Sequence, residues 1–290
     1  MVMLFRADRM STRMLLPPKV AEVSLDHDWL YKAPYPPLGF RPFSDCELGN
    51  GDTFGLYWPV GRENQEPIVA ETWHDSWQIQ PTFSSLSSFL AARARGGDEF
   101  PETPSLKEDA GSPRALLDAA REAIQVQSVE RAVELLEDAI AVLPEYTEAL
   151  SLLWAQYMRQ GRAEEATAIA LRAVVAPPAF GSRSVKALKW LQGQSQATSF
   201  AHDPIWQSRH ALKLTYGGAK ENGDYAVYRS AIDVYIGNSQ YVQACILMQT
   251  YAQLMHAETL SFQERNGFER DGFVRWQEQV SHQLPHGPRA

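Results

Sequence analysis

The sequence lacks the features that mark secreted and membrane proteins. It has two cysteines in 290 residues, Cys46 and Cys245, too few and too far apart for a disulfide scaffold or a zinc pattern. No run of about 18 apolar residues occurs, so no membrane span is expected. The start of the chain has no uninterrupted apolar stretch of the kind that forms a signal peptide. We therefore expect a cytoplasmic protein with unpaired thiols.

Basic residues are scarce in the front two-thirds of the chain. Residues 19–92 hold four basic and ten acidic residues, residues 101–180 hold seven and thirteen, and residues 181–290 hold eleven and nine. Nucleic-acid binding needs basic clusters that displace counterions, so we expect none. An acidic front suits a basic partner protein, and it equally suits solubility alone.

Catalytic patterns are also missing. Glu71, His74 and Asp75 lie close together, but their spacing matches no zinc-binding pattern, and a structural role is favoured. The glycines between residues 49 and 55 precede a strand and no helix, so they do not form a phosphate cradle. We predict no catalytic residue, no metal site and no cofactor, and hence a protein that is not an enzyme.

The clearest local signal is a strand-rich segment after Asn50-Gly51, the dipeptide preferred in a tight hairpin turn. Aromatic and β-branched residues follow over 53–60, and a second such run covers 67–73. Prolines at positions 59 and 67 belong at strand ends or sheet edges. These features predict a meander of antiparallel strands, in which the tryptophans pack into a core.

This segment resembles the SUKH superfamily, whose bacterial members are mostly immunity proteins against polymorphic toxins. The resemblance lies in three runs between Pro34 and Ala92, namely LGNGDTFGLYWPVGRE, PIVAETWHD and PTFSSLSSFL. It implies a small, non-catalytic SUKH-like α+β domain, placed over residues 1–94, that binds a toxin. Charge and turn position select the expected toxin-binding residues, which are Asp45, Glu47, Asp52, Glu63, Glu66 and Glu71.

A linker rich in glycine, proline and acids is predicted over residues 95–112. Helical periodicity follows over 113–290, with a 34-residue internal repeat that is typical of tetratricopeptide units. The positions that match at this spacing are Leu116 with Leu150, Ala132 with Ala166, Ala139 with Ala173, and Pro144 with Pro178. The predicted fold is α+β: a small antiparallel sheet followed by an all-α tetratricopeptide-like solenoid, with repeats at 113–145 and 146–179 and degenerate helices over 180–284.

In such a solenoid the first helix of each repeat lines a concave face. The expected residues on that face are Arg114, Leu117, Arg121, Glu148, Met158 and Arg159. Mixed charge and size leave two interpretations open, a binding groove and an ordinary solvated surface. Self-association through this half is a further possibility.

The sequence favours two functions over a third. The first is a cytoplasmic immunity protein that occludes the active site of a cognate toxin, with a basic nuclease domain as the expected partner. Neither direct nucleic-acid binding nor membrane binding is part of this prediction. The alternative is a non-enzymatic scaffold or regulatory protein, in which the repeats bind a cellular protein. An enzyme built on Glu71, His74 and Asp75 is the third and least favoured hypothesis.

Overall fold

A computed structural model describes the chain over residues 23–26, 37–47, 51–73, 78–96, 101–195, 199–215 and 223–287. The side chains of residues 45–47 lie outside this description. Four strands come first and helices follow, so the predicted α+β class is confirmed.

The strands form one antiparallel sheet in chain order. They are β1 (Phe40–Glu47), β2 (Thr53–Tyr57), β3 (Ile68–Trp73) and β4 (Gln78–Phe83). Pro59 and Pro67 lie just outside the ends of β2 and β3, where a missing N–H leaves the ladder intact. The predicted turn at Asn50-Gly51 falls partly outside the described residues, and Gly51 itself has a φ of 97°.

The sheet buries aromatic residues on the face that packs against α1 (Leu86–Gly96). The Phe89 ring of α1 lies 5.4 Å from that of Phe43 and 5.1 Å from that of Phe54, centroid to centroid. Trp58 is buried in the same cluster, as predicted. Trp73, in contrast, is 39% exposed, so its predicted core position is wrong.

The other face of the sheet contacts two helical hairpins. The first consists of α2 (Pro113–Gln125) and α3 (Val129–Val142), and the second of α4 (Thr147–Arg159) and α5 (Ala163–Val175). Both helices of the second hairpin begin 34 residues after their counterparts in the first, which is the predicted period. All four repeat alanines are buried, because small residues let the paired helices approach closely.

The turns of the hairpins share one geometry, the Schellman motif. Gln127 and Gly161 occupy equivalent left-handed positions, with φ of 59° and 70°. In both turns the N–H of the next residue donates to the carbonyl five residues earlier. Ser128 donates to Ala123 in the first turn, and Arg162 donates to Tyr157 in the second. A left-handed residue suits this position because it lets the chain reverse while satisfying the last carbonyls of the helix.

The same turn joins α8 (Asp224–Gly237) to α9 (Tyr241–His256), which form a third hairpin. Ser239 takes the left-handed position there with a φ of 59°. The sequence predicted degenerate helices over 180–284, but not that two of them form a hairpin of the same kind. The other helices are α6 (Val185–Gly193), α7 (Pro204–Ser208), α10 (Leu260–Arg265) and α11 (Arg270–Ser281).

The sheet packs directly on helices from both parts of the helical region. Glu145, just before α4, accepts hydrogen bonds from Tyr57 and from the N–H of Val60. The N–H of Leu38 donates to Gln249 of α9. The strand-rich part of the chain therefore contacts both the first two hairpins, at Glu145, and the C-terminal hairpin, at Gln249.

The segment predicted as a linker is attached to the sheet over the part that the structure describes. Asp109 accepts a hydrogen bond from the N–H of Ser84 at 2.8 Å. Ser112, which caps α2, donates its hydroxyl to the carbonyl of Thr82 at 2.6 Å. These bonds fix where the first hairpin begins relative to β4. Within the described residues no helix is long and apolar enough to cross a membrane.

Candidate functional site

A cavity with a mixed lining lies between α4 and the segment that leads into α6. It has a volume of about 450 Å³, within the range of sites that hold small ligands or a few side chains. We call it the α4–α6 groove. Its lining residues are Glu148, Ser151, Leu152, Trp154, Ala155, Ser182, Arg183, Ser184, Val185, Lys186 and Ala187.

On one wall of the groove lies Glu148, the last in a row of charged residues on α2 and α4. Arg114 contacts Gln80 of β4 at 2.6 Å and Asp118 at 2.7 Å. Arg121 pairs with Asp118 at 2.6 Å and also with Glu148 at the groove. Burial alone would lower the pKa of Arg121, and its two acidic partners raise it above the ordinary value. This row connects the sheet to the groove and neutralises the negative charge of Glu148.

The opposite wall is cationic. Arg183 donates from Nη2 to the hydroxyl of Tyr228 on α8 at 2.5 Å. That hydroxyl in turn donates to the carbonyl of Val174 at 3.1 Å, so its lone pairs are oriented towards the guanidinium. Lys186, on the first turn of α6, is exposed. The positive end of the α6 dipole lies on the same side of the groove.

Hydroxyl groups lie at the base of this cationic wall. The Ser151 hydroxyl donates to the carbonyl of Thr147 at 2.8 Å and also contacts the hydroxyl of Ser184. Because the Ser151 hydroxyl donates its hydrogen to the carbonyl of Thr147, the Ser184 hydroxyl is the donor in the contact between the two serines. The side chain of Ser184 accepts no hydrogen bond from the first turn of α6, and the N–H groups of Lys186 and Ala187 have no acceptor within the described residues.

An aromatic pair provides the apolar part of the site. Trp154, which lines the groove, lies against Trp190 of α6 with centroids 6.2 Å apart. Leu152 and Val185 add apolar surface on the two sides. The groove thus offers an apolar contact close to the exposed Lys186.

Charge differs sharply between α2, α4 and α6 on the one hand and α3 and α5 on the other. Helices α2, α4 and α6 together hold five basic and three acidic residues. Helices α3 and α5, the second helices of the hairpins, hold two basic and six acidic residues. The groove lining itself holds two basic residues, Arg183 and Lys186, and one acidic residue, Glu148, so the overall acidity of the chain does not extend to it.

The structure brings together three of the residues predicted for the concave face, Arg114, Arg121 and Glu148. Leu117 is fully buried, and its predicted place on a binding face is wrong because it packs in the helix–sheet core. Met158 is 36% exposed and Arg159 is exposed, but neither lines the groove.

The acidic residues predicted to bind a toxin do not share one exposed environment. Asp52 is half-buried and Glu66 is exposed, whereas the side chains of Asp45 and Glu47 lie outside the described residues. Glu63 is 4% exposed and accepts from the N–H of Gly61, so the prediction that it is an exposed contact residue is wrong.

Glu71 is also half-buried, on β3. Burial raises the pKa of its carboxyl above the ordinary value, a hydrogen bond to Trp73 lowers it, and the charge of Asp52 raises it further. His74 and Asp75, the other members of the predicted cluster, lie outside the described residues. Among the described residues no group of three or more potential ligands could hold a metal ion.

Sequence reasoning missed the cationic wall. Arg183 and Lys186 lie where the 34-residue pattern becomes hard to follow, after Pro177-Pro178. The available signal was the short run from Ser182 to Lys186, which holds two serines and two basic residues at the start of a helix. Only the fold shows that this run faces α4.

Two family models match this chain at its two ends. The YfbP N-terminal domain matches residues 25–101, and the YfbP C-terminal domain matches residues 215–286. Over 260 residues the chain is 36% identical to the uncharacterized protein YfbP of Escherichia coli (strain K12), covering 89% of this chain and 92% of that protein. The resemblance to the SUKH superfamily is therefore wrong, since its residues fall inside the region that the YfbP N-terminal model matches.

Proposed function

This chain belongs to the YfbP family, and we propose that it is a non-enzymatic scaffold or regulatory protein that binds a segment of a partner protein in the α4–α6 groove. The observation that carries the proposal is the groove itself. Its lining places Trp154 and Arg183, two residue types enriched at protein interfaces, beside small apolar residues and hydroxyls.

We further infer that the hairpins act as a tetratricopeptide-like array. Supporting this are the 34-residue offset of both helices, the matching Schellman turns and the buried repeat alanines. In such arrays the first helices supply the binding surface, and α4 supplies one side of the groove here. The predicted cytoplasmic location remains part of the proposal.

Site-specific cross-linking in the cells of origin tests the proposal. A photoreactive phenylalanine analogue at Ala155, which lines the groove, should form a defined adduct with a partner protein. The same analogue at Ala141, an exposed alanine on α3, is the matched control. Equal adducts from both positions, or none from position 155, would refute binding in the groove.

A complementary variant fills the groove. Ala155→Trp adds a large side chain to its lining, whereas Ala141→Trp makes the same change on the exposed surface of α3. Co-purification of the cross-linked partner should be lost only with the first variant, and the thermal midpoints of both should be compared with wild type. Retention of the partner by a folded Ala155→Trp protein would count against the proposal.

A second candidate is the neutralisation of a basic toxin, which the acidic surfaces of α3 and α5 favour through charge complementarity. Its test is the survival of cells that express a toxin domain encoded beside this gene, with and without this protein. Rescue together with a co-purifying complex would support it. The absence of both with every neighbouring candidate would remove it.

A further inference from the structure

A small buried cavity lies where the strand-rich part of the chain meets the C-terminal helices. It has a volume of about 10 Å³ and is lined by Leu38, Val60, Cys245, Gln249 and Gln277. None of these five residues is more than 8% exposed. A cavity of this size accommodates one water molecule, and it is too small for a hydrated ion or an organic ligand.

Gln249 brings a hydrogen-bond donor to this cavity. Its Oε1 accepts from the N–H of Leu38 at 3.1 Å, which fixes the orientation of the side-chain amide. Its Nε2 is buried and has no acceptor within the part of the chain that the structure describes. Burying a donor without a partner costs free energy, so buried amides almost always bond to the protein or to an ordered water.

We propose that the cavity binds a single water molecule, which accepts a hydrogen bond from Nε2 of Gln249 and donates to Gln277 and Cys245. The amide oxygen of Gln277 has two lone pairs, so it can accept from the water alongside another partner. The sulfur of Cys245 is a weak acceptor for the second hydrogen. Three polar side chains thus supply the roughly three hydrogen bonds that a buried water makes.

The chemistry of the lining favours water over other occupants. Gln249 directs N–H hydrogens at the cavity, which disfavours a cation because cations bind to oxygen. The lining residues carry no charge, so a buried anion would lack the positive partner that it needs. Cavities that stay dry have apolar linings, whereas this lining has two amides and a thiol.

The bound water lies between the two regions that the family models match. Leu38 and Val60 belong to the N-terminal match over residues 25–101, and the other three lining residues belong to the C-terminal match over residues 215–286. The water completes the hydrogen bonds of Gln249 and thereby holds its Oε1 against the N–H of Leu38. It is therefore part of the contact that joins the strand-rich region to α9 and α11.

Nuclear Overhauser measurements between water and glutamine side chains test the proposal on the full-length protein. The Nε2 protons of Gln249 should show cross-peaks to water of opposite sign in the laboratory and rotating frames, because a bound water tumbles with the protein. Proton exchange gives the same sign in both frames. The Nε2 protons of Gln207, an exposed residue, are the control and should not show the opposite signs. Their absence at Gln249 would overturn the proposal.

Filling the cavity gives an independent test. Val60→Ile adds one methyl group to the lining, which should expel the water, leave Nε2 of Gln249 unpaired and lower the thermal midpoint by about 2–4 °C. In a Gln249→Met background no donor faces the cavity, so the same methyl group should raise the midpoint. A rise with Gln249 present would show a dry cavity and overturn the proposal. Equal falls in both backgrounds would indicate overpacking and would also overturn it.

Discussion

Glu145 and Tyr57 form a buried hydrogen bond that joins the helices to the sheet. The tyrosine hydroxyl donates to Oε1 of Glu145 at 2.6 Å, and the N–H of Val60 donates to the same oxygen at 2.9 Å. Both side chains are 1% exposed. Arg172 lies nearby: burial lowers its pKa, and the charge of Glu145 raises it. A buried carboxylate depends on such partners, so this contact should be sensitive to the loss of either residue.

Glu145→Ala should lower the free energy of unfolding by about 3 kcal/mol, since it leaves two buried donors, the Tyr57 hydroxyl and the Val60 N–H, without their acceptor. Urea denaturation measures the change. Tyr57→Phe should lower it by about 1 kcal/mol, and the double variant should lose less than the sum. The control Glu134→Ala, on an exposed part of α3, should shift stability by less than about 0.5 kcal/mol. Strict additivity would show that the bond adds nothing.

Gln127→Gly should stabilise the protein by about 1 kcal/mol, because Gln127 holds a left-handed conformation that glycine adopts without steric conflict. Gly161, at the equivalent turn of the second hairpin, already has this residue type. Gly161→Gln is the reciprocal change and should destabilise by a similar amount. Thermal midpoints measure both effects. Shifts of the same sign in the two variants would contradict the assigned turn geometry.

Gly55→Ala should destabilise the sheet strongly. A Cβ at this position would lie 2.6 Å from the carbonyl oxygen of Arg41 and from the Cα of Pro42. Both are backbone atoms of β1, so the clash can be relieved only by separating β1 from β2. Hydrogen exchange of the β1 and β2 amides would detect this separation. Gly96→Ala, at the end of α1 with no atom near the added Cβ, is the control and should leave the exchange pattern intact.

Glu71→Gln should stabilise the protein at neutral pH. The pKa of Glu71 is raised above 4.5 in the folded state, chiefly by burial, so the stability it contributes is present at low pH and lost as pH rises through the folded pKa. The variant's advantage should therefore appear at pH 7 and shrink below about pH 4.5. Unfolding by urea at both pH values measures it, with Glu66→Gln as the exposed control. An advantage that is greater at low pH would contradict this sign.

Local sequence signals predicted much of the fold. Proline at positions 59 and 67 marked strand ends, and the 34-residue spacing of alanines marked the paired hairpins. These residues act through backbone torsions and through contacts between neighbouring helices, which a single sequence reports directly. The resemblance to the SUKH superfamily was wrong because it relied on the same local signals. An Asn-Gly turn followed by alternating aromatics is what any antiparallel meander requires, so it predicts strands and does not identify a family.

The groove could not be predicted because it depends on contacts between distant parts of the chain. Leu117 and Glu148 both fell on the expected concave face by helical spacing. The sheet packs against α2 and buries Leu117, whereas Glu148 remains at the surface beside residues 181–187. No local pattern distinguishes these two outcomes. Likewise, Arg183 gains its position from a tyrosine 45 residues away.

The hydrogen bond between Leu38 and Gln249 joins residues 211 positions apart, and it has a consequence for synthesis on the ribosome. Chains emerge at about 5–20 residues per second, so the segment before β1 that carries Leu38 waits roughly 10–40 s for its helical partner. Throughout that interval Leu38 and Val60, which later meet α9 at Cys245 and Gln249, have no native cover on that side. A nascent chain of this protein should therefore depend on chaperones until its last third has been made.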